Sequence, residues 1–122
     1  MKEIKKISTG APWEDIVGYS RAIKIGDIIE ISGTTASGAN EYEQTVGIIK
    51  IAEQALKDLG ADLNNVVRTR MYCTDISKWE LIGKAHGEFF KEIRPVATLV
   101  EVSKLIDPEI LVEIEFSAVL NH

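Results

Sequence analysis

Tyr19-Ser20-Arg21-Ala22-Ile23-Lys24-Ile25-Gly26-Asp27-Ile28-Ile29-Glu30-Ile31-Ser32-Gly33 is the first patterned stretch of the chain. Ile23 and Ile25 alternate with Ala22 and Lys24, and Ile29 and Ile31 alternate with Ile28, Glu30 and Ser32. The Gly26-Asp27 pair between the two runs is turn chemistry. The stretch therefore reads as a β-hairpin with one apolar face. Gly33 ends it, and Thr34 to Asn40 follows as a loop of small residues.

Downstream the period changes. Ile48, Ile49, Ala52, Ala55, Leu56 and Leu59 recur at steps of one, three and four, with Lys50, Glu53, Gln54, Lys57 and Asp58 between them. This predicts an amphipathic helix over Glu41 to Leu59, stopped at Gly60, where a left-handed residue closes a helix. Val66 to Thr74 is β-branched and aromatic enough for a strand. Its alternation puts Val67, Thr69, Met71 and Cys73 on one face and Arg68, Arg70 and Tyr72 on the other. Ser77 with Glu80 reads as a capping box, and Ile76 with Leu81 as a hydrophobic staple, opening a second helix with Ile82, Ala85 and Phe89 facing inward. Pro95 breaks the helical run beyond it. Ala97 to Lys104 and Leu111 to Leu120 read as two closing strands. In the last, Val112, Ile114, Phe116 and Ala118 alternate with Glu113, Glu115 and Ser117.

The predicted order is β-β-α-β-α-β-β, with room for a short extra N-terminal strand. Two helices on one face of a single sheet are the economical arrangement for an α+β chain. The other face then needs cover that a chain this short does not contain, which predicts self-association through the sheet. At 122 residues the length prior is one domain over 1–122, burying roughly two-thirds of its extended surface. Hydrophobic residues make up 45% and charged residues 27%, which excludes wholesale disorder. The formal net charge of −5 repels phosphate backbones, so nucleic acid is not the expected partner. The opening MKEIKKISTGAPWE has no apolar core of a signal peptide, and no apolar run approaches a membrane span, so the expected compartment is the cytoplasm.

Few residues stand out as chemistry. Cys73 is the one cysteine, which excludes an internal disulfide and a multi-thiolate metal site; it reads as core. Of the two histidines, His122 ends the chain and His86 lies in the second helix without ligand partners at helical spacing, so it reads as a half-buried helix residue rather than a zinc ligand. None of the nine glycines forms a dinucleotide fingerprint or a P-loop. Glu113 and Glu115 share a strand face roughly 7 Å apart, a separation that carboxylate pairs use in hydrolysis. Read plainly, they are a solvated face. If that face is buried by association, they must be paired, hydrogen-bonded or functional, and Arg68 and Arg70 are the available cations.

Gly18-Tyr19-Ser20-Arg21-Ala22, Ile31-Ser32-Gly33, Gly60-Ala61-Asp62-Leu63-Asn64-Asn65-Val66-Val67, Phe89-Phe90, Val100-Glu101-Val102 and Val112-Glu113-Ile114-Glu115 occur in the order and spacing of one family. The chain resembles the YjgF/Rid family, also labelled reactive intermediate deaminase A-like or endoribonuclease L-PSP-like, from about Ala11 to Ala118. The resemblance implies a chorismate-mutase-like α+β fold and a homotrimer with sheets around a central barrel. It implies small-molecule sites in the clefts between subunits, and hydrolysis of reactive enamines and imines such as 2-aminoacrylate to 2-keto acids and ammonia. It implies no metal and no organic cofactor.

Carried over residue by residue, the resemblance matches Tyr19 to the family tyrosine, Ser32 and Gly33 to the strand end, and Glu113 to the glutamate that handles water and leaving nitrogen. Thr98 and the backbone near Gly33 offer substrate hydrogen bonds. The family pattern P-x-R-[ST] places an arginine on the substrate carboxylate, whereas Pro95-Val96-Ala97-Thr98 has Ala97 there. The chain therefore resembles a divergent branch, with Arg70 as a candidate replacement for the missing cation and Ala97→Arg as the change that would restore it. The leading expectation is C=N or enamine hydrolysis of a small polar metabolite. A non-catalytic metabolite-binding trimer and an endoribonuclease are the alternatives.

Overall fold

A computed structural model describes residues 3–120; His122 lies outside the described residues. In chain order the elements are β1 (Ile4–Ile7), α1 (Pro12–Val17), β2 (Ala22–Ile25), β3 (Ile28–Thr34), α2 (Glu41–Asp58), β4 (Val66–Cys73), α3 (Trp79–Phe90), β5 (Val96–Glu101) and β6 (Val112–Val119). The six strands form one mixed sheet in the order β1-β2-β3-β6-β4-β5, with β4 and β5 parallel and the other neighbours antiparallel. The short N-terminal strand is present as the edge beside β2. α1 has no counterpart in the sequence reading, because six residues are too short for a helical period to declare itself. β5 ends at Glu101 rather than at Lys104.

The core lies between the sheet and α2 with α3. Ile48, Ile49, Ala52, Leu56 and Leu59 of the α2 stripe are buried, as the spacing predicts. Gly60 has φ +83; its N–H donates to the Lys57 carbonyl and Ala61 N–H donates to the Leu56 carbonyl, a Schellman closure that needs a left-handed residue. Val112, Ile114, Phe116 and Ala118 of β6 are buried beneath the helices, so Glu113 and Glu115 project from the opposite, open face.

Three local readings are corrected. Ile23 pairs with Glu30 and Ile25 with Ile28, and directly paired residues share a face. Ile23, Ile25 and Ile28 therefore lie on the open face, while Ala22, Ile29 and Ile31 enter the core. Both hairpin faces are apolar, so alternation could not assign them. Val67 is exposed and Val66 is buried, because a register shift against β6 between Val66 and Arg68 inserts one extra residue. The second helix is entered through a short 3-10 turn, Ile76–Lys78, capped by Asp75, whose Oδ1 accepts from Ser77 N–H at 3.0 Å and from Ser77 Oγ at 2.6 Å. The Ser77 hydroxyl is thus a donor to the cap, and the Ser77–Glu80 capping box does not form.

Candidate functional site

A second bulge shapes the site. From Ile31 to Thr34, β3 advances three residues while β6 advances two, from Phe116 to Ile114. The extra residue lies at Ser32-Gly33 and turns the Gly33 carbonyl towards Arg21, which immediately precedes β2. The Arg21 backbone is fixed on both sides: its N–H donates to the Ile7 carbonyl at 2.8 Å, and its carbonyl accepts from Ser32 N–H at 2.9 Å. The residue is 6% exposed. Nη1 donates to the Gly33 carbonyl at 2.7 Å and to Thr34 Oγ1 at 3.1 Å, and Nη2 approaches the Tyr19 hydroxyl at 3.5 Å. The guanidinium carbon lies 5.6 Å from the centre of the Tyr19 ring, within cation–π range.

A buried anion stands behind it. Glu14, on α1, is 4% exposed and accepts from Ser8 Oγ at 2.8 Å, Thr9 Oγ1 at 2.7 Å and Thr9 N–H at 3.2 Å. Its Oε2 is 3.8 Å from Arg21 Nη2. Burial works to raise the Glu14 pKa, but the hydrogen bonds from Thr9 and Ser8, with the charge of Arg21, outweigh it and hold the carboxyl below its ordinary value.

Glu113 completes the floor. It is half-buried on β6, and its carboxylate rests against Gly33, where any Cβ would overlap Oε2. Burial, and then the neighbouring Glu115, push the Glu113 pKa up, partly opposed by Arg21. Arg21, Gly33, Glu113 and Tyr19 line one cavity of about 370 Å³ whose walls include Trp13, Val17, Ile51 and Ile106. A raised carboxyl, a guanidinium and a phenol around a small apolar-walled space can hold an anion and exchange a proton with a bound water.

Tyr19, Gly33 and Glu113, matched by the sequence, thus meet in one place. Ser32, Arg70 and Glu115 line a neighbouring depression of about 460 Å³ on the open face, which Tyr19 also borders. Ser32 Oγ donates to the Ser20 carbonyl at 2.6 Å. Glu115 accepts from the Tyr72 hydroxyl at 2.9 Å and makes no ion pair with Arg68 or Arg70 among the described residues. Thr98 pairs with Arg70, and Arg70 with Glu115, so Thr98 lies on edge strand β5, two strands from Glu113. Ala97 pairs with Thr69 on the same edge strand. Neither lines the Glu113 cavity of its own chain. A larger depression, about 740 Å³, runs along the Thr35–Ala39 loop. Its buried polar side chain, Gln44, is used in structure, bonding the Gly38 and Glu109 carbonyls and Leu111 N–H.

His86 and Cys73 keep their plain roles. Thr69 Oγ1 lies 2.9 Å from His86 Nε2, the ring packs 4.7 Å from Phe90, and burial pushes the imidazole pKa down. Cys73 is fully buried, and burial pushes its thiol pKa up, away from nucleophilic thiolate character.

The hairpin, the bulge at Gly33 and the closing strand with Glu113 all fall within residues 9–120, which match the family model described as Endoribonuclease L-PSP. The chain belongs to the endoribonuclease L-PSP family. Its fold is that of family members: it superimposes with a TM-score of 0.95 on the crystal structure of Rv2704 from Mycobacterium tuberculosis, a member of the YjgF/YER057c/UK114 family. The two are 46% identical, and the match covers 97% of this chain and 100% of that one. An uncharacterized protein of Streptomyces coelicolor is 34% identical over 94% of this chain and 91% of its own. The 2-iminobutanoate/2-iminopropanoate deaminase of Mus musculus is 30% identical over 83% of this chain and 81% of its own. No helix among the described residues is long and apolar enough to cross a membrane.

The pattern reading of this family member passed over Arg21 and Glu14. Arg21 stands in the Gly18–Ala22 segment, and nothing in the sequence separates it from the other charged residues of the hairpin, Lys24, Asp27 and Glu30. Pattern cannot tell a surface arginine there from a buried one.

Proposed function

We propose that this chain hydrolyses the C=N bond of a small imine, or of the enamine that tautomerises to it, with Glu113 as the general base and acid. The observation that carries this reading is the Glu113 carboxyl itself, raised by burial and packed on Gly33 at the floor of a cavity that also holds Arg21 and Tyr19. The activity in the name of the mouse relative supports it. Glu113 as carboxylate takes a proton from water while the water oxygen bonds to the imine carbon and the C=N π pair moves to nitrogen. The nitrogen takes up that proton, giving a carbinolamine. A second transfer through Glu113 moves the hydroxyl proton to the amine; C–N then breaks, ammonia leaves, and the carbonyl product remains. A pKa above the ordinary glutamate range suits a group that must both accept and return a proton.

The assembly proposed is a homotrimer built on the open sheet face. Ile4, Ile25, Ile28, Val96 and Val100 are exposed on strands of that sheet, and register places all five on the side away from the helices. They form two apolar patches, one on β1–β3 and one on the β5 edge, either side of the polar open-face residues of β6 and β4; exposed apolar patches rimmed by polar residues mark association sites. In such an assembly Thr98 reaches a cleft only from a neighbouring copy.

Ala97, in place of the family arginine, favours one second reading, a trimer that binds a metabolite without turning it over. A semicarbazide-trapping assay separates the two. An amino-acid oxidase generates the imine, and the protein competes with semicarbazide for it. Lowered semicarbazone yield in the presence of wild type, but not of Glu113→Gln, is the expected result. Unchanged yield at micromolar protein would end the hydrolase reading and leave the binding one.

A further inference from the structure

We propose that Glu14 and Arg21 are positioning residues for the Glu113 reaction, a buried strut that ties the cavity wall carried by α1 to the bulged glycine on which the Glu113 carboxylate rests. The proposal rests on the reading of that cavity as the site of imine hydrolysis. It assigns two residues that act through others rather than on the substrate.

The first ground is how α1 is held. Six residues are too few for a helix to stand on its own hydrogen bonds, and α1 has no apolar anchor. Of Pro12–Val17 only Glu14 is buried, while Trp13 is 45% exposed, Ile16 73% and Val17 68%. Glu14 gathers the segment around itself. Its carboxylate accepts from Ser8 and Thr9 before the helix. Its carbonyl accepts from Gly18 N–H at 2.9 Å and from Tyr19 N–H at 3.0 Å after it. The guanidinium of Arg21 stands 3.8 Å from Oε2, with both side chains more than nine-tenths buried. A pair shielded from water keeps its attraction at that distance, where a surface pair is screened.

The second ground is what the other side of the guanidinium holds. Nη1 donates to the Gly33 carbonyl and to Thr34 Oγ1 at the bulge, and Nη2 reaches Tyr19 Oη. One planar fork spans these groups, a reach that the point charge of a lysine lacks. Gly33 in turn leaves only enough space for the Glu113 carboxylate. The links run from α1 through Glu14, Arg21 and Gly33 to Glu113, and Trp13, Val17, Arg21, Gly33 and Glu113 line one cavity. The strut also sets a polarity. Arginine only donates, so the Tyr19 oxygen accepts from it and the Tyr19 hydrogen stays available to the cavity. A buried ion pair contributes little net stability once its desolvation is counted. What this one contributes is a fixed distance between wall and floor.

Steady-state kinetics and amide hydrogen exchange on the full-length protein test the strut. The variants are Glu14→Gln, Arg21→Gln, Arg21→Lys and the Glu14→Gln/Arg21→Gln double, and the substrate is an imine released by an amino-acid oxidase. Each single substitution is expected to lower kcat by about tenfold or more through displacement of the Glu113 carboxylate. KM is expected to stay within about threefold, because neither residue binds the substrate. The double variant is expected to be no slower than the slower single one, since both remove the same strut. Arg21→Lys is expected to behave as Arg21→Gln, because it keeps the charge and lacks the fork. The Ser32 amide bonds the Arg21 carbonyl at the bulge. In Glu14→Gln its exchange is expected to quicken by about tenfold, the scale of one hydrogen bond, whereas a merely local role of Glu14 would confine the change to residues 8–19. Additive losses in the double variant, a raised KM in place of a lowered kcat, full activity in Arg21→Lys, or unchanged Ser32 exchange would each overturn the proposal. Should Arg21→Gln fail to fold, Glu14→Gln carries the kcat and exchange tests alone. A wild type without turnover defeats the hydrolase reading, and Ser32 exchange in Glu14→Gln then decides the strut by itself. Turnover with unchanged Ser32 exchange defeats the strut alone.

Discussion

The Glu113 carboxylate lies against the α-carbon of Gly33, so that a methyl group added at residue 33 would occupy the place of Oε2. Glycine there is a spatial requirement of the site rather than a conformational one, since Gly33 is not among the residues with positive φ. The same residue presents its carbonyl to Arg21. One bulged glycine thus sets the positions of both the carboxyl and the guanidinium.

Gly33→Ala is expected to fold, because the group in the way is the far end of a flexible side chain, but to displace Glu113. A misplacement of about 1 Å can cost on the order of a hundredfold in rate. Imine hydrolysis is expected to fall by about ten- to a hundredfold with near-wild-type circular dichroism. Glu113→Gln, which removes proton transfer itself, is expected to lose about 10²–10⁴-fold. Full activity in Gly33→Ala would show that the carboxylate position is not critical.

Glu113 and Glu14 give opposite pH signatures. The raised pKa of Glu113 means that the folded state binds the extra proton. Its contribution to stability is complete below the ordinary glutamate value of about 4.3 and is lost as pH rises through the raised value. Catalysis by its carboxylate form rises over the same interval, so kcat/KM is expected to climb on a limb displaced above the ordinary glutamate range. The lowered pKa of Glu14 gives stability present above the unfolded value and lost as pH falls through the folded one. Urea unfolding from pH 3 to 8 is expected to show Glu14→Gln losing stability relative to wild type at neutral pH and converging with it in acid. Parallel curves would show that the Glu14 shift does not exist.

Sedimentation equilibrium at micromolar concentration is expected to give a trimer mass. Ile28→Glu places an uncompensated charge on the open face, where Ile28 is 50% exposed in the single chain, and is expected to shift the mass to monomer. A monomeric wild type would leave the apolar face without its proposed cover.

Ala97→Arg is expected to raise kcat/KM for a carboxylate-bearing imine by about ten- to a hundredfold, the scale of one charge-assisted contact to the substrate anion. The reason is position in the assembly: residue 97 adjoins Thr98 on β5, and in the proposed trimer that strand borders the cleft of a neighbouring copy. Steady-state kinetics on wild type and variant decide it. An unchanged kcat/KM would show that a guanidinium at residue 97 does not reach the substrate.

Much of the architecture was legible in the order of residues. Strict period-2 alternation in β6 and the 3.6-residue stripe of α2 place Glu113 opposite Ile114 and Leu56 against the sheet, because each side chain's direction follows from local backbone geometry. The collinear segments around Tyr19, Gly33 and Glu113 identified the family and three of the residues that line the cavity. Local pattern failed where both faces of an element are apolar or where a residue is inserted. Ile23 and Ile25 took the open face because cross-strand pairing, a non-local fact, sets the face of a hairpin strand. Val66 and Val67 exchanged roles at a bulge that exists only against β6. Above all, whether Arg21 points to water or into the protein was settled by tertiary structure. An arginine enters the interior only where distant groups compensate it. Here those groups are the Gly33 carbonyl, the Thr34 hydroxyl and a Glu14 carboxylate, brought together by the bulge in β3 and by a six-residue helix.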